Sequence, residues 1–249
     1  MARFFVPVFP SGEGVVEFPA SESRHAARVL RLGPDDEVEI FDGTGRAAIC
    51  RVVAVSKRGL SARILRQWTE QRPRPGIHLL VALIKNDRFD WLVQKATELG
   101  AASIRPVAAA RSVVKLVGKD AEKRRAKWVQ VSVEAAKQCG HLVLPEIRAL
   151  VSPPQAFASV PEGLRLVPSL HPGGRSLGEA FVGETEEVTF AIGPEGDWTP
   201  SEMEVAHHAG FISVDLGQHV LRSETAAAYC LSAGAFHFHQ GVGGLRGNP

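Results

Sequence analysis

Cysteine is scarce: Cys50, Cys139 and Cys230 are the only three in 249 residues, far apart and with no Cys-x-x-Cys pair. That pattern excludes a disulfide framework or a structural zinc site and predicts reduced, mostly buried thiols. Long apolar runs are missing too. None approaches the ~20 residues that span a bilayer, so no transmembrane helix is expected. The first ten residues, with Pro7 and Pro10 among them, carry too short an apolar stretch for a secretory signal, which predicts a cytosolic protein. No internal repeat is present. His237 and His239 are two apart, so a helix would point them apart, and no carboxylate spacing completes a set of ligands; no metal is expected.

What is there suffices for a substantial core: 45% of the residues are hydrophobic, enough for one large domain or two modest ones. From Phe4 to Trp68 the chain reads as strands, over 38–41, 48–55 and 60–65, with one helix near Ser23 to Leu32. This predicts a small β-barrel-like domain over 1–70. The polar, proline-bearing stretch 69–76 is the natural linker. Beyond it strands and helices alternate. Leu79 to Ile84 is a continuous apolar run, and Phe89, Leu92, Val93, Ala96 and Leu99 mark one helical face ending at Gly100. Further strands at 104–107, 164–167, 188–192 and 211–216, with helices between, predict a mostly parallel α/β sheet over 77–240 and a loose tail over 241–249.

Two stretches carry the chemistry. In the first, Val188 to Ile192 reads as a buried strand and Gly193-Pro194-Glu195-Gly196 as a sharp turn open to close backbone approach. A helix follows, with Thr199 as N-cap, Pro200 in the first helical position and Glu202 completing a capping box. The second repeats the plan: a strand over 211–216, a break at Gly217, then Arg222-Ser223-Glu224-Thr225 opening an alanine-rich helix. Open α/β sheets hold ligands at the carboxyl ends of their strands, so the two turns predict one small-ligand crevice. By contrast, Gly43-Thr44-Gly45-Arg46-Ala47-Ala48 mimics a dinucleotide fingerprint but precedes a strand sequence, so Asp42-Gly43 is a hairpin turn.

The two stretches resemble the C-terminal signatures of the SPOUT-class methyltransferases that act on uridine N3 of small-subunit (16S) ribosomal RNA, the RsmE type. Other segments agree in order: Arg24 to Leu32 with Phe41 to Gly45, Gln94 to Gly100, and more weakly Glu134 to Gln138 and Leu170-His171-Pro172. The likeness runs from about residue 3 to 240. Three positions depart: Asp197 stands where the family has glycine, His219 where it has arginine, and His141 where arginine is usual. Asp tolerates left-handed backbone, so by this argument the turn survives and Asp197→Gly is expected to be nearly neutral.

The resemblance implies an N-terminal PUA-like β-barrel, a C-terminal SPOUT α/β domain with a trefoil knot, a rare exception to unknotted topology, and a homodimer. It also implies S-adenosylmethionine as cofactor, held by Leu170, His171, Ile192, Gly193, Pro194, Gly196, Leu216, Gly217, Val220, Leu221 and Thr225. Methyl transfer to uridine N3 needs in-line positioning and loss of the N3 proton. Arg222 is expected to stabilise the uracil anion electrostatically. Glu224 is read as a positioning group or assisting base, the alternative being a charge partner for the helix N-terminus.

Charge is distributed unevenly although the net is only +2: 12 Lys/Arg face 9 Asp/Glu over residues 1–76, 9 face 3 over 105–138, and 5 face 12 over 139–249. The basic excess predicts a phosphate-facing surface, with Arg24, Arg28, Arg31, Lys95, Arg111, Lys123, Arg124 and Lys127 holding small-subunit RNA, free or within the assembled subunit. A solvated helix face is the plain alternative for the charge run. Two other functions stay open, a noncatalytic RNA-binding protein of the same two-domain form and, more distantly, a nicotinamide enzyme. The joint presence of both glycine turns with Arg222 and Glu224 favours the methyltransferase, because an RNA clamp needs neither.

Overall fold

The computed structural model describes residues 1–56, 59–170 and 173–238, apart from the side chains of His25 and Arg28. His171, His239 and the expected tail 241–249 therefore lie outside the described residues. The chain forms two compact units, Met1–Arg72 with Val133–Leu144, and Pro73–Ser132 with the residues from Pro145 on.

In the first unit, strands β1 (Ala2–Phe5), β2 (Val15–Glu17), β3 (Glu37–Phe41), β4 (Arg46–Val55) and β5 (Leu60–Thr69) form a sheet in the order β1-β3-β4-β5-β2. Only β1 and β3 run parallel; the other neighbours are antiparallel. Leu60, Ala62 and Ile64 are buried at alternate positions of β5 and pack with Val38, Ile40, Cys50 and Val52, the period-2 signature of a strand with one face in a core. Between β3 and β4 the Asp42 carboxylate accepts the backbone N–H and hydroxyl of Thr44, both at 2.8 Å, which closes the hairpin, and a strand follows.

The helix expected from Ser23 begins earlier, as α1 (Ala20–His25), and continues as a π-helical turn over Ala26–Leu30. Ser23 does not cap it. Its hydroxyl donates to the Phe18 carbonyl at 3.2 Å and accepts the Leu60 N–H at 3.1 Å, tying the helix to β5 instead.

The second unit alternates β6 (Gly76–Ala82), α2 (Asn86–Glu98), β7 (Ser103–Val107), α3 (Gly118–Cys139), β8 (Glu146–Ile147), α4 (Pro153–Ala158), β9 (Leu164–Pro168) and β10 (Arg175–Ser176). It continues through α5 (Leu177–Ala180), β11 (Glu187–Ile192), α6 (Pro200–His208), β12 (Ile212–Asp215) and α7 (Ser223–Phe238). Its sheet has the order β10-β12-β9-β11-β6-β7-β8, and every neighbouring pair is parallel.

The continuous apolar run of β6 is explained by burial on both faces. Ile77, Leu79 and Val81 pack with Phe89, Leu92 and Val93 of α2 and with Cys230 and Leu231 of α7. Leu80 and Ala82 pack on the opposite side with Phe157, Trp198, Met203 and Phe211. The end of α3 leaves this core. From Val133 it belongs to the first unit, where Ala136 joins Phe41 and Ala47 in a small apolar cluster and the Lys137 ammonium bonds both oxygens of the buried Glu22 at 3.1 Å. Nothing in the amphipathic pattern of the helix marks that handover.

Burial pushes the Cys50 thiol up to about 12 and raises Cys230 as well, whereas Cys139 is exposed. Thiolates are the reactive form, so two of the three thiols are inert in the folded chain. Labelling of the native protein with a thiol reagent at neutral pH should therefore show one rapid equivalent, lost in Cys139→Ser. A second rapid equivalent would mean that one of the buried sites opens readily.

Candidate active site

The sheet order sets β12, β9 and β11 side by side, all parallel, so their carboxyl ends deliver three loops to one place. Pro168 to Leu170, Ile192 to Glu195 with Asp197, and Asp215 to Gly217 with His219 to Leu221, together with Ser223 and Ala226 of α7, enclose a pocket of about 90 Å³. Leu170 and Val220, 59% and 75% exposed, stand at its mouth.

The turn after β11 is built from its own sequence. Gly193 allows close approach: a Cβ there would come within 3.2 Å of Asp197 Oδ1 and 3.3 Å of the Trp198 indole. Trp198 is fully buried between the turn and Phe157. Thr199 caps α6 and accepts the Glu202 N–H at 3.3 Å, while Glu202 returns its carboxylate to the Thr199 N–H at 2.8 Å. The other Glu202 oxygen accepts the Ala110 N–H at 2.8 Å, so the expected capping box also anchors the loop after β7. Arg111 on that loop donates to the Gly196 carbonyl at 2.8 Å.

Asp197 takes the left-handed conformation, φ 59°, and is only 9% exposed. Its Oδ1 accepts the Trp198 N–H at 2.8 Å, and its Oδ2 accepts the Leu170 N–H at 3.2 Å and the Ser169 hydroxyl at 3.4 Å. One carboxylate thus bonds the turn after β11 to the loop after β9. Those bonds overturn the expectation that Asp197 is a neutral stand-in for glycine, because left-handed tolerance is only part of what the residue does.

The third loop reverses at Gly217, whose φ of 110° disfavours any side chain and whose N–H donates to Asp215 at 2.7 Å. It then enters α7, where the Ser223 hydroxyl donates to the Gly193 carbonyl at 2.7 Å, tying the start of α7 to the first glycine turn. Glu224 is 9% exposed and faces inward. Arg88 of α2 lies 3.7 Å from its Oε1 and 3.3 Å from Glu195, so one guanidinium bridges the first turn and α7. The second oxygen, Glu224 Oε2, is buried with no hydrogen-bond partner among the described residues. Arg222 is exposed at the entrance to α7 and makes no ion pair among the described residues.

Comparison with known proteins decides what this geometry belongs to. An RNA methyltransferase domain model matches residues 70–235 and an RNA methyltransferase PUA domain model residues 18–65. Ribosomal RNA small subunit methyltransferase E of Mycobacterium bovis is 31% identical over 234 residues, covering 92% of this chain and 89% of its own. The chain belongs to the ribosomal RNA small subunit methyltransferase E family. The Bacillus subtilis member is 31% identical over 94% of this chain and 95% of its own. A crystal structure of the Neisseria gonorrhoeae member, bound to S-adenosyl methionine, is 32% identical with a TM-score of 0.87, covering 95% of this chain and 97% of that one. The fold is accordingly a PUA-like N-terminal domain and a parallel-sheet methyltransferase domain.

Within this family fold, Leu170, Ile192, Gly193, Pro194, Leu216, Gly217, Val220 and Leu221 line the pocket, as grouped from the sequence. Gly196 and Thr225 are not among its lining residues: Gly196 turns its carbonyl to Arg111, and Thr225 is exposed on α7. Arg222 and Glu224 point apart, one to solvent and one to Arg88. Among the basic residues, Arg24, Arg31 and Lys123 are exposed, while the side chain of Arg28 lies outside the described residues. Lys95 pairs with Glu98 at 2.7 Å, Arg124 lies 3.7 Å from Asp90, and Lys127 bonds the same Asp90. Sequence reasoning missed Arg88, Ser169, Asp215 and Ser223. Ser223 lay inside a quoted motif, but Arg88 had only its position beside an apolar helix face to mark it.

Arg88→Ala leaves the Glu224 carboxylate without its cation in a mostly buried position. The expected loss of stability is about 1–3 kcal/mol, discounted because Arg88 is partly exposed. Glu224→Gln should recover part of it in the Arg88→Ala background. Equal denaturation midpoints for Arg88→Ala and the wild type would show that the pair is not coupled.

Proposed function

We propose that this chain binds S-adenosylmethionine in the pocket between β9, β11 and β12 and methylates uridine N3 of small-subunit ribosomal RNA. The observation that carries the reading is the convergence of three adjacent strand ends on one pocket walled by glycine backbone in a chain of this family. The residues present suit the ligand. A Cβ built on Gly217 meets nothing within 4 Å, so that wall borders open space. The enclosed volume of about 90 Å³ would hold only part of such a ligand, and Leu170 and Val220 at the mouth offer exposed apolar surface that would hold the rest.

Bound S-adenosylmethionine supplies an electrophilic methyl group on a sulfonium. Everything else falls to the chain. The glycine turns orient the ligand with backbone groups and exclude water. Arg222, unpaired and exposed beside the mouth, meets the negative charge that develops on the uracil ring as N3 loses its proton. Glu224, matched to Arg88, serves as a positioning group holding α7 against the first turn. That contact, made through Oε1, is what supports the positioning role for Glu224, while its Oε2 has no partner among the described residues and leaves the assisting-base role beside it.

The proposal extends to assembly. Residues 1–70 act as the RNA-holding PUA-like barrel and 77–240 as the SPOUT domain, with the chain after β11 threaded into a trefoil knot. Two copies associate, in keeping with Trp91, Tyr229 and Phe236, which are 41%, 48% and 75% exposed on α2 and α7. RNA is met by the cations that the fold leaves unpaired. On α3 these are Lys119 and Lys123, both exposed and without an ion pair among the described residues, because Asp90 takes Arg124 and Lys127.

The direct test is mass spectrometry of nucleosides from small-subunit RNA of cells lacking and regaining the gene: N3-methyluridine should vanish and return. Its persistence in the deletion strain would remove the assignment. In single-turnover assays on unmodified subunits, Arg222→Ala should slow methyl transfer by on the order of a hundredfold while cofactor affinity moves much less. A fully active variant would sink the electrostatic role. Lys119→Ala with Lys123→Ala should reduce the slope of log affinity against log salt by about two, one for each lost phosphate contact. An unchanged slope would make this helix face plain solvated surface.

A further inference from the structure

Asp197 is a buried carboxylate whose hydrogen bonds come only from neutral donors, the N–H groups of Trp198 and Leu170 and the Ser169 hydroxyl. Among the described residues no Lys, Arg or His pairs with it. Buried charges are ordinarily paired, because removing an ion from water without a counter-charge is costly. The pocket it lines deepens the anomaly. Glu195 and Asp215 line it too, and among the described residues the only potentially cationic side chain there is His219, with no Lys or Arg. Glu195 has Arg88 at 3.3 Å as its partner, which leaves Asp197 as the more buried charge without one. Glycine would adopt the φ of 59° without strain, so the backbone does not demand an aspartate.

We infer that Asp197 is a specificity-determining residue: its uncompensated negative charge makes the pocket favour the cationic sulfonium of S-adenosylmethionine over the neutral thioether of S-adenosylhomocysteine. This rests on the cofactor reading given above. The two ligands share every group except the methyl and the charge it brings to sulfur. When the methyl passes to the RNA nitrogen, the sulfur regains an electron pair and becomes neutral. The attraction that helped to bind the reactant is then lost, and the product leaves a pocket that is once more a site for a cation. Even about 12 Å away, at an effective dielectric constant of ~20, a unit charge is enough for roughly a tenfold preference.

The test is calorimetric titration of wild type, Asp197→Asn and Asp197→Gly with each ligand, together with hydrogen exchange at the Leu170 amide. Asp197→Asn removes the charge and keeps one oxygen acceptor, which the Leu170 N–H can take at the cost of the Trp198 bond, so the affinity ratio should shift about tenfold toward S-adenosylhomocysteine while Leu170 stays protected. Asp197→Gly, which suits the backbone, should shift the ratio likewise and also lose protection at Leu170. It keeps the question open to measurement if the Asn variant folds poorly. Both ligands weakening in equal proportion, or an unchanged ratio, would overturn the inference and leave Asp197 as a loop tie. Failure of the wild type to bind either ligand would remove the cofactor reading itself and this inference with it.

Discussion

The second unit depends on a parallel sheet buried on both faces. Alternate residues of β6 serve different cores, Ile77, Leu79 and Val81 on one side and Leu80 and Ala82 on the other, so neither layer of helices is dispensable. Hydrogen-bonded register then fixes where each strand stops. Because β12, β9 and β11 are neighbours in that register, their three loops meet at one edge. A rigid floor of this kind is what lets loops hold a ligand with backbone groups, whose positions are only as accurate as the strands that carry them.

Above this floor, the loops are tied to one another by few polar contacts, each of which crosses between segments distant in sequence. Asp197 joins the loops after β11 and β9, Ser223 joins α7 to the turn at Gly193, Arg88 joins α2 to both that turn and α7, and Glu202 joins α6 to the loop after β7. Most of these use a charged group with a neutral donor or a charged partner in a mostly buried setting, where such bonds are stronger than on the surface. The same economy explains the fate of the basic residues. Charge counted along α3 overstates the cations open to a phosphate, because Asp90 of α2 takes two of them, the Ile147 carbonyl takes Arg125 and Glu22 takes Lys137.

Membership of the ribosomal RNA small subunit methyltransferase E family supplies the chemical context, while the positions expected from the sequence to depart from its pattern call for their own reading. Asp197 is the clearest. A comparison of motifs alone treats it as a tolerated substitution in a turn; its position makes it a tie between loops and an unpaired charge in the wall of the pocket. His219 also lines the pocket, so a second departure faces the same space.

Local physics made a large part of this legible in the sequence. The capping box at Thr199 and Glu202, the hairpin at Asp42 and Gly43, the apolar face of α2 and the double burial of β6 each depend on residues a few positions apart, and all appear where the pattern indicated. Both glycine turns were equally plain, since strand, break and capped helix are neighbours in sequence, and half of the 16 residues lining the pocket were among those the family resemblance implied. What the sequence could not contain was the pairing of distant segments. The handover of the end of α3 to the first unit, the capture of Arg124 and Lys127 by Asp90, the meeting of Arg88 with Glu224, and the bond from Asp197 to Leu170 are set by strand order and helix packing. These contacts span tens of residues or more, and no periodicity or cap reports them, because the partners become neighbours only when the sheet has closed.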